Sequence, residues 1–120
     1  MPASRDAGMC DSRFRFERSE TMALYVMASL FPKPEHAQAV EAELRSMVGK
    51  TRAEPGNRRY DLFREAGDSP NLHLFEIYDD QAAFDAHLAS AYFVAFRDKS
   101  ADWFAAPPVI KVLSGIDVAE

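Results

Sequence analysis

The sequence predicts an α+β domain of the ferredoxin-like type, with the element order β-α-β-β-α-β and an antiparallel sheet. Four apolar runs bounded by proline, glycine or capping residues predict the strands. An amphipathic stretch follows the first run and two capped apolar stretches follow the third, which predicts helices between them. The length of 120 residues corresponds to one domain.

The first strand and the first helix are predicted between residues 23 and 53. Residues 23–31 are a nearly continuous apolar run, typical of a strand buried on both faces. Along residues 35–53 the apolar side chains recur on one stripe and most charges lie elsewhere, which predicts an amphipathic helix. The Pro55-Gly56 pair is expected to end this helix.

The next two strands are predicted at residues 58–65 and 72–78, joined as a hairpin by a Gly- and Pro-containing turn. Alternation in the second of them places Glu76 and Tyr78 on one face and Phe75 on the other. Both faces are largely apolar, so we expect the helices to cover one and a second layer to cover the other. Pairing two such sheets supplies that layer, which predicts a homodimer.

The last elements are two short helices and a fourth strand. Asp80 and Ser90 are predicted as N-caps of helices at residues 81–88 and 91–99. We expect Pro107-Pro108 to end the helical part and the strand to cover residues 109–118, with Gly115 as a candidate bulge.

Composition excludes several classes of protein. The net charge of -5 argues against nucleic-acid binding, which needs a basic face to neutralise phosphates. No apolar stretch approaches the roughly 20 residues of a membrane span, and residues 1–21 lack the apolar centre of a signal peptide. The single cysteine, Cys10, fits a reducing compartment. We therefore expect a cytoplasmic protein without nucleic-acid or membrane partners.

Residues 1–21 are predicted to be an extension that precedes a domain of residues 22–120. The extension is polar and Arg-rich, and Phe14 and Phe16 are its only large apolar side chains. It is either an inert tail or an arm that docks on the partner subunit, in which case its deletion would weaken the dimer.

His87 is the predicted catalytic residue. The usual signatures of phosphate, nucleophile and metal sites are absent, and the spacing of the three histidines matches no metal-ligand pattern, so no cofactor and no metal are predicted. His87 shares the apolar face of its helix with Ala83 and Phe84, and aromatic residues follow it. An imidazole there can exchange a proton with a phenolic or enolic oxygen. The alternative is a structural histidine whose nitrogens bond to backbone or water.

Aromatic side chains make up 12% of the chain, and each is first of all a core residue. Together they could line a cavity for a planar, apolar substrate. The predicted substrate-binding residues are Tyr60, Phe75, Phe84, Tyr92, Phe93, Phe96 and Trp103. Glu76 is interpreted as an ion pair with an arginine across the dimer interface, with a catalytic acid as the alternative. Glu54 is interpreted as a structural anchor at the end of the first helix.

Three stretches, residues 51–65, 72–90 and 91–96, resemble the antibiotic-biosynthesis monooxygenase superfamily in its quinol-monooxygenase-like branch. The family pattern is a helix ending in E-P-G, a Tyr-containing strand, a strand with Glu and an aromatic two residues on, then A-x-x-x-H-x-x-S and an aromatic. The matching residues are Glu54-Pro55-Gly56, Tyr60, Glu76, Tyr78, Ala83, His87, Ser90 and Phe93. Tyr78 departs from the tryptophan often found at its position.

The resemblance implies a dimeric α+β barrel, and several members oxidise quinols or polyphenolic rings with molecular oxygen and without metal or flavin. The implied mechanism is deprotonation of a phenol, single-electron transfer from the anion to oxygen, and radical recombination. We therefore expect a cofactor-independent monooxygenase of a small quinol-like aromatic, with His87 as the proton shuttle.

Other functions stay open at this point. Haem-degrading relatives carry an iron-binding histidine where this chain has Arg97, which disfavours haem. Isomerases of a small signalling sugar phosphate would need a basic cluster in the cavity, and nothing clearly places Arg58, Arg59 or Arg64 there. A non-catalytic dimeric binding or stress-response domain needs only the fold. Tautomerase chemistry would need a second acid or base near His87, with Glu76 and Tyr60 as candidates.

Overall fold

The computed structural model describes residues 23–119 and shows a four-stranded antiparallel sheet whose inner face is covered by helices. The strands are β1 (Leu24–Pro32), β2 (Asn57–Arg64), β3 (Leu72–Tyr78) and β4 (Phe104–Ser114). The helices are α1 (Ala37–Arg52), preceded by a 3-10 turn (Pro34–His36), α2 (Gln81–Leu88) and α3 (Ala91–Lys99). The sheet order β2-β3-β1-β4, with every neighbouring pair antiparallel, is the ferredoxin-like topology expected from the sequence.

The core lies between the sheet and α1. Alternate residues of β1 and β3 are buried, and Val40, Leu44 and Met47 of α1 pack on them. Within residues 23–119 the helices cover only the inner face, so burial of β1 on both faces, as expected from the sequence, is not supplied by this part of the chain. Met27, on the outer face, is 48% exposed.

The outer face of the sheet is broadly apolar. The strand registers place Tyr25, Phe63, Phe75 and Ile77 on this face beside Met27. Phe63 is 50% exposed, and the rings of Tyr25 and Phe75 stack with their centroids 6.4 Å apart. The sequence prediction of two apolar faces therefore holds, although no element among residues 23–119 covers the outer one.

β4 differs from its prediction, since it begins five residues earlier than expected and contains Pro107 and Pro108. Among residues 23–119, β4 is an edge strand that pairs only with β1, and a residue without an N–H is tolerated at such an edge. Ser29 pairs with Val109 and Phe31 pairs with Ala106, so the β1–β4 register shifts at the two prolines that lie between these partners. Gly115 lies beyond the end of the strand, so it is not a bulge.

The two short helices and their caps lie where the sequence predicts them. The Asp80 carboxylate accepts a hydrogen bond from the Ala83 N–H at 2.9 Å. The Ser90 hydroxyl accepts one from the Phe93 N–H at 3.4 Å and donates to the His87 carbonyl at 2.7 Å. These caps fix the start of each helix, and the Ser90 hydroxyl links the end of α2 to the start of α3.

Several predictions concern residues outside those that the structure describes. The extension of residues 1–21, with Cys10, Phe14 and Phe16, is among them. A cytoplasmic location also stays a prediction from the sequence. Within residues 23–119, none of the helices combines the length and apolar character that a membrane crossing requires.

Candidate active site

A cavity of about 450 Å³ lies between the inner face of the sheet and the three helices. Its wall is mostly apolar, with side chains from β1, α1, β3, α2 and α3. Leu88, Arg97 and Ile110 line it while being exposed at the surface, so they mark its mouth. A concave apolar space of this size with a few polar groups is the usual form of a small-molecule site.

His87 stands at the polar end of this cavity, with 2% of its surface exposed. Its Nδ1 lies 3.0 Å from Oε2 of Glu54, which immediately precedes the Pro55-Gly56 turn after α1. Because a carboxylate only accepts, we assign the proton to Nδ1, which makes Nε2 the acceptor nitrogen. Nε2 has no hydrogen-bond partner among residues 23–119, so it is free to take a proton from a ligand.

Aromatic rings surround the imidazole and hold its orientation. The Tyr92 hydroxyl also donates to Oε2 of Glu54, so one carboxylate oxygen serves both side chains. The ring centroids of Phe93, Tyr60, Tyr78 and Tyr92 lie 5.2, 5.7, 5.7 and 6.3 Å from that of His87.

Glu76 is a second carboxyl group in the same cavity and is 4% exposed. Its Oε1 accepts a hydrogen bond from the Tyr78 hydroxyl at 2.6 Å, and it stands directly opposite Tyr60 in the β2–β3 register. Burial raises the pKa of Glu76, against the smaller lowering effects of the Tyr78 hydroxyl and His87. Burial likewise raises the pKa of the Tyr60 and Tyr78 hydroxyls, so both stay protonated.

The structure contradicts the interpretation of Glu76 as an ion pair across a dimer interface. Its side chain points to the inner face, beneath the helices, and lies on the side of the sheet opposite the exposed apolar face. Among residues 23–119, no arginine contacts it. The catalytic-acid alternative is the one that fits this position.

Most of the predicted substrate-binding residues come together at the cavity. Tyr60, Phe84, Phe93 and Phe96 line it, while Tyr92 supports His87 through Glu54 without lining it. Two predictions are wrong for this cavity. Phe75 lies on the outer face of the sheet, where alternation puts it, and Trp103 lies in the α3–β4 connection, stacked on His36 with ring centroids 5.8 Å apart.

Glu54, interpreted from the sequence as a structural anchor, is also the hydrogen-bond partner of His87, which the sequence did not predict. The available signal was its place in the E-P-G motif, two residues after the end of α1, although nothing in the spacing of Glu54 and His87 shows that they meet. Arg97, at the cavity mouth, is a second residue not predicted as part of the site. Its side chain is 63% exposed and lies 3.7 Å from Asp98.

The other cations considered lie away from the cavity. Arg58, Arg59 and Arg64 form surface ion pairs with Asp79, Asp61 and Glu41. In the described part of the chain, no three or more His, Cys, Asp or Glu side chains are grouped in a way that could hold a metal ion.

Comparisons with known proteins agree with this architecture. The model of the antibiotic biosynthesis monooxygenase family matches residues 23–99. "Putative monooxygenase Rv0793" of Mycobacterium tuberculosis is 35% identical over 82% of this chain and 97% of its own length. Its solved structure superposes with a TM-score of 0.77, covering 82% of this chain and 99% of that one. "Putative monooxygenase YcnE" of Bacillus subtilis is 33% identical over 70% of this chain and 88% of its own.

A further solved structure extends the comparison. The protein PA3566 of Pseudomonas aeruginosa is 29% identical, with a TM-score of 0.77, over 82% of this chain and 99% of that chain. The matches confirm the resemblance inferred from the sequence motifs, and the family model spans β1 to β3 and the three helices.

Proposed function

Because this chain belongs to the antibiotic biosynthesis monooxygenase family, we propose that it oxygenates a quinol-like or polyphenolic aromatic with molecular oxygen and without a cofactor. The observation that carries the proposal is the Glu54–His87 pair at the polar end of an apolar cavity. A buried imidazole with one nitrogen bonded to a carboxylate and the other free is arranged as a general base.

In this mechanism the phenolic O–H of the substrate donates to Nε2 of His87, and the proton transfers to the imidazole. Glu54 stabilises the imidazolium that forms, through the Nδ1–H hydrogen bond. The phenolate passes an electron to oxygen, and recombination of the two radicals forms the new C–O bond. The O–O bond of the resulting peroxide then breaks, so that one oxygen atom stays on the ring as a carbonyl and the other leaves as water. The substrate supplies all the electrons.

The apolar walls contribute binding and exclusion of water. Phe84, Phe93 and Phe96 present flat surfaces on which an aromatic ring can pack. A dry cavity strengthens the interaction between the phenolate and the imidazolium, because water no longer screens it.

The cavity disfavours two of the alternative functions. A sugar-phosphate isomerase would need several cations at the ligand, and Arg97 is the one basic side chain other than His87 that lines the cavity within residues 23–119. A purely structural domain would have this space filled, and Trp103 packs outside it.

The test is oxygen uptake with naphthohydroquinones and related polyphenols, combined with ¹⁸O₂ labelling of the product. We expect incorporation of one labelled oxygen atom and a fall in rate of about 10²- to 10⁴-fold in His87→Ala. His36→Ala is the matched control, since His36 contacts Trp103 outside the cavity. Equal rates in the wild type and His87→Ala would contradict the proposal, as would a product without label.

We also propose that the protein forms a homodimer through the outer face of its sheet. Met27 and Phe63 on that face are 48% and 50% exposed. Val109 and Leu113 of β4 lie on the same face and are 45% and 41% exposed. An apolar surface that spans four strands favours association with a second copy, because both copies gain from burying it.

A further inference from the structure

Two acid–base groups of different character face the same cavity. His87 is bonded to Glu54 through Nδ1 and leaves Nε2 to the cavity. Glu76 is bonded to Tyr78 through Oε1, and its Oε2 has no hydrogen-bond partner among residues 23–119. Among residues 23–119, the one side-chain polar atom that is both fully buried and without a partner is Thr51 Oγ1. Oε2 of Glu76 also lacks a partner, so it is not fully buried and retains access to the cavity.

The two groups lie close enough to contact one small molecule. The Tyr78 ring lies 5.7 Å from the His87 ring, centroid to centroid, and the Tyr78 hydroxyl lies 2.6 Å from Glu76. The Tyr60 ring also lies 5.7 Å from that of His87, and Tyr60 is the direct cross-strand neighbour of Glu76. Both tyrosines therefore bridge the short span between imidazole and carboxyl.

The local electrostatics give the two groups opposite roles. Glu54 accepts the hydrogen bond from Nδ1 of His87 and leaves Nε2 as the acceptor nitrogen, which suits a base. Burial in an apolar wall raises the pKa of Glu76 and so favours its protonated form, which suits an acid. A base and an acid that face one apolar cavity can together move a proton between carbon and oxygen.

We propose that this cavity also catalyses the keto–enol tautomerisation of a cyclic aromatic ketone, with His87 as the base and Glu76 as the acid. Nε2 of His87 takes a proton from the carbon next to the carbonyl, and the C–H electron pair becomes the C=C bond. The carbonyl oxygen takes the proton of Glu76, which becomes a carboxylate. The product is the enol, and the imidazolium and carboxylate regain their starting states by proton exchange with solvent.

This activity shares His87 with the proposed oxygenation but requires no oxygen and transfers no electrons. Its substrates are ketones fused to an aromatic ring, which fit the same apolar walls. A cavity that forms the enol of such a ketone would generate the phenol-like species that the oxygenation consumes.

The experiment is deuterium exchange into 2-tetralone, under nitrogen, in mildly acidic D₂O, followed by mass spectrometry. We expect exchange next to the carbonyl above the buffer rate, a fall to the buffer rate in His87→Ala and a loss of at least about ten-fold in Glu76→Gln. Glu35→Gln, at an exposed position before α1, should leave the rate unchanged. A wild-type rate equal to that of buffer, or equal rates in the wild type and Glu76→Gln, would overturn the proposal.

Infrared spectroscopy of the wild type gives a test that does not depend on the folding of a variant. In the same buffer we expect the carbonyl band of a protonated, buried carboxyl group, and its absence would overturn the role of Glu76. Because exchange is measured without oxygen, oxygen uptake with quinols can succeed while exchange fails, and the reverse. The two proposals therefore fail independently.

Discussion

At the scale of single residues, the site depends on one carboxylate oxygen. Oε2 of Glu54 accepts from both His87 and Tyr92, so the imidazole orientation and the Tyr92 position are tied to the same atom. The sequence alone does not show that Glu54 and His87 are in contact, because they are 33 positions apart. The placement of His87 among aromatic side chains was predictable from the sequence, whereas its contact with Glu54 depends on how the turn after α1 meets α2.

Glu54→Gln should keep the geometry of this pair and remove its charge. The amide oxygen still accepts from Nδ1, but it stabilises the imidazolium less, by about 1.5–3 kcal/mol for a charged hydrogen bond. We therefore expect kcat for quinol oxygenation to fall by about 10- to 100-fold with KM little changed. Glu43→Gln, which removes a surface ion pair with Lys99, is the matched control. An unchanged kcat in Glu54→Gln would show that the carboxylate only anchors the turn.

Glu76 predicts a specific dependence of stability on pH. Its folded-state pKa is raised above the ordinary value of 4.5, so the folded protein holds this proton after the unfolded chain has lost it. The contribution of Glu76 to the free energy of unfolding is therefore complete below pH 4.5 and decreases as pH rises through the folded-state pKa. Urea unfolding of the wild type and Glu76→Gln across this range should show the variant gaining relative stability as pH increases. Parallel pH curves for the two proteins would contradict the assignment.

At the scale of elements, the sequence predicted correctly those features that depend on residues close together in the chain. Asp80 and Ser90 cap α2 and α3 as predicted, because capping needs only a side chain and an N–H three residues later. β4 was predicted less well, because the tolerance of Pro107 and Pro108 follows from its edge position. That position is a property of the sheet order and not of residues 104–114 themselves.

The turn after α1 and the start of α2 are joined by a close approach at Gly56. A Cβ at this position would lie 2.4 Å from the Cβ of Ala83, and the Asp79 N–H donates to the Gly56 carbonyl at 2.8 Å. Glu54 precedes this glycine by two residues and His87 follows Ala83 by one helical turn. The contact therefore sets the separation of the two members of the pair.

Gly56→Ala should push α2 away from the turn and cost about 1–3 kcal/mol through overpacking. Gly49→Ala is the matched control, since Gly49 lies in α1 with open space around it and alanine there should stabilise by about 0.5–1 kcal/mol. Adding Ala83→Gly to Gly56→Ala should recover part of the loss, as measured by urea unfolding and by oxygen uptake. Strictly additive effects of the two substitutions would show that the contact does not limit the structure.

At the scale of the whole molecule, the sheet separates a side that holds the cavity from a side with an exposed apolar surface. The helices, the cavity and both carboxyl groups lie on the inner side, and the exposed apolar face lies on the other. Alternation along β3 anticipated which residues lie on which side. Alternation alone could not show that Phe75 lies on the face away from the cavity. The connections between elements decide which face the helices cover.

Met27→Glu should weaken the proposed homodimer. It places a charge at the centre of the outer face, where burial in an interface would carry a desolvation cost. We expect sedimentation velocity to show a shift from dimer to monomer. Gln38→Glu adds the same charge on α1, on the opposite side of the sheet, and should leave the assembly unchanged. An identical sedimentation coefficient for the wild type and Met27→Glu would exclude this face as the interface.

The placement of Trp103 has an optical consequence. It is the one tryptophan in the sequence, and its indole stacks on His36 in the corner between α3 and β4, outside the cavity. Its fluorescence is therefore a reporter of whether that corner is folded. A bound aromatic would not touch the indole, so a flat emission titration would not mean that nothing binds. Ligand occupancy is better followed by the absorbance of the ligand itself, and the indole emission remains free to monitor unfolding while the cavity is occupied.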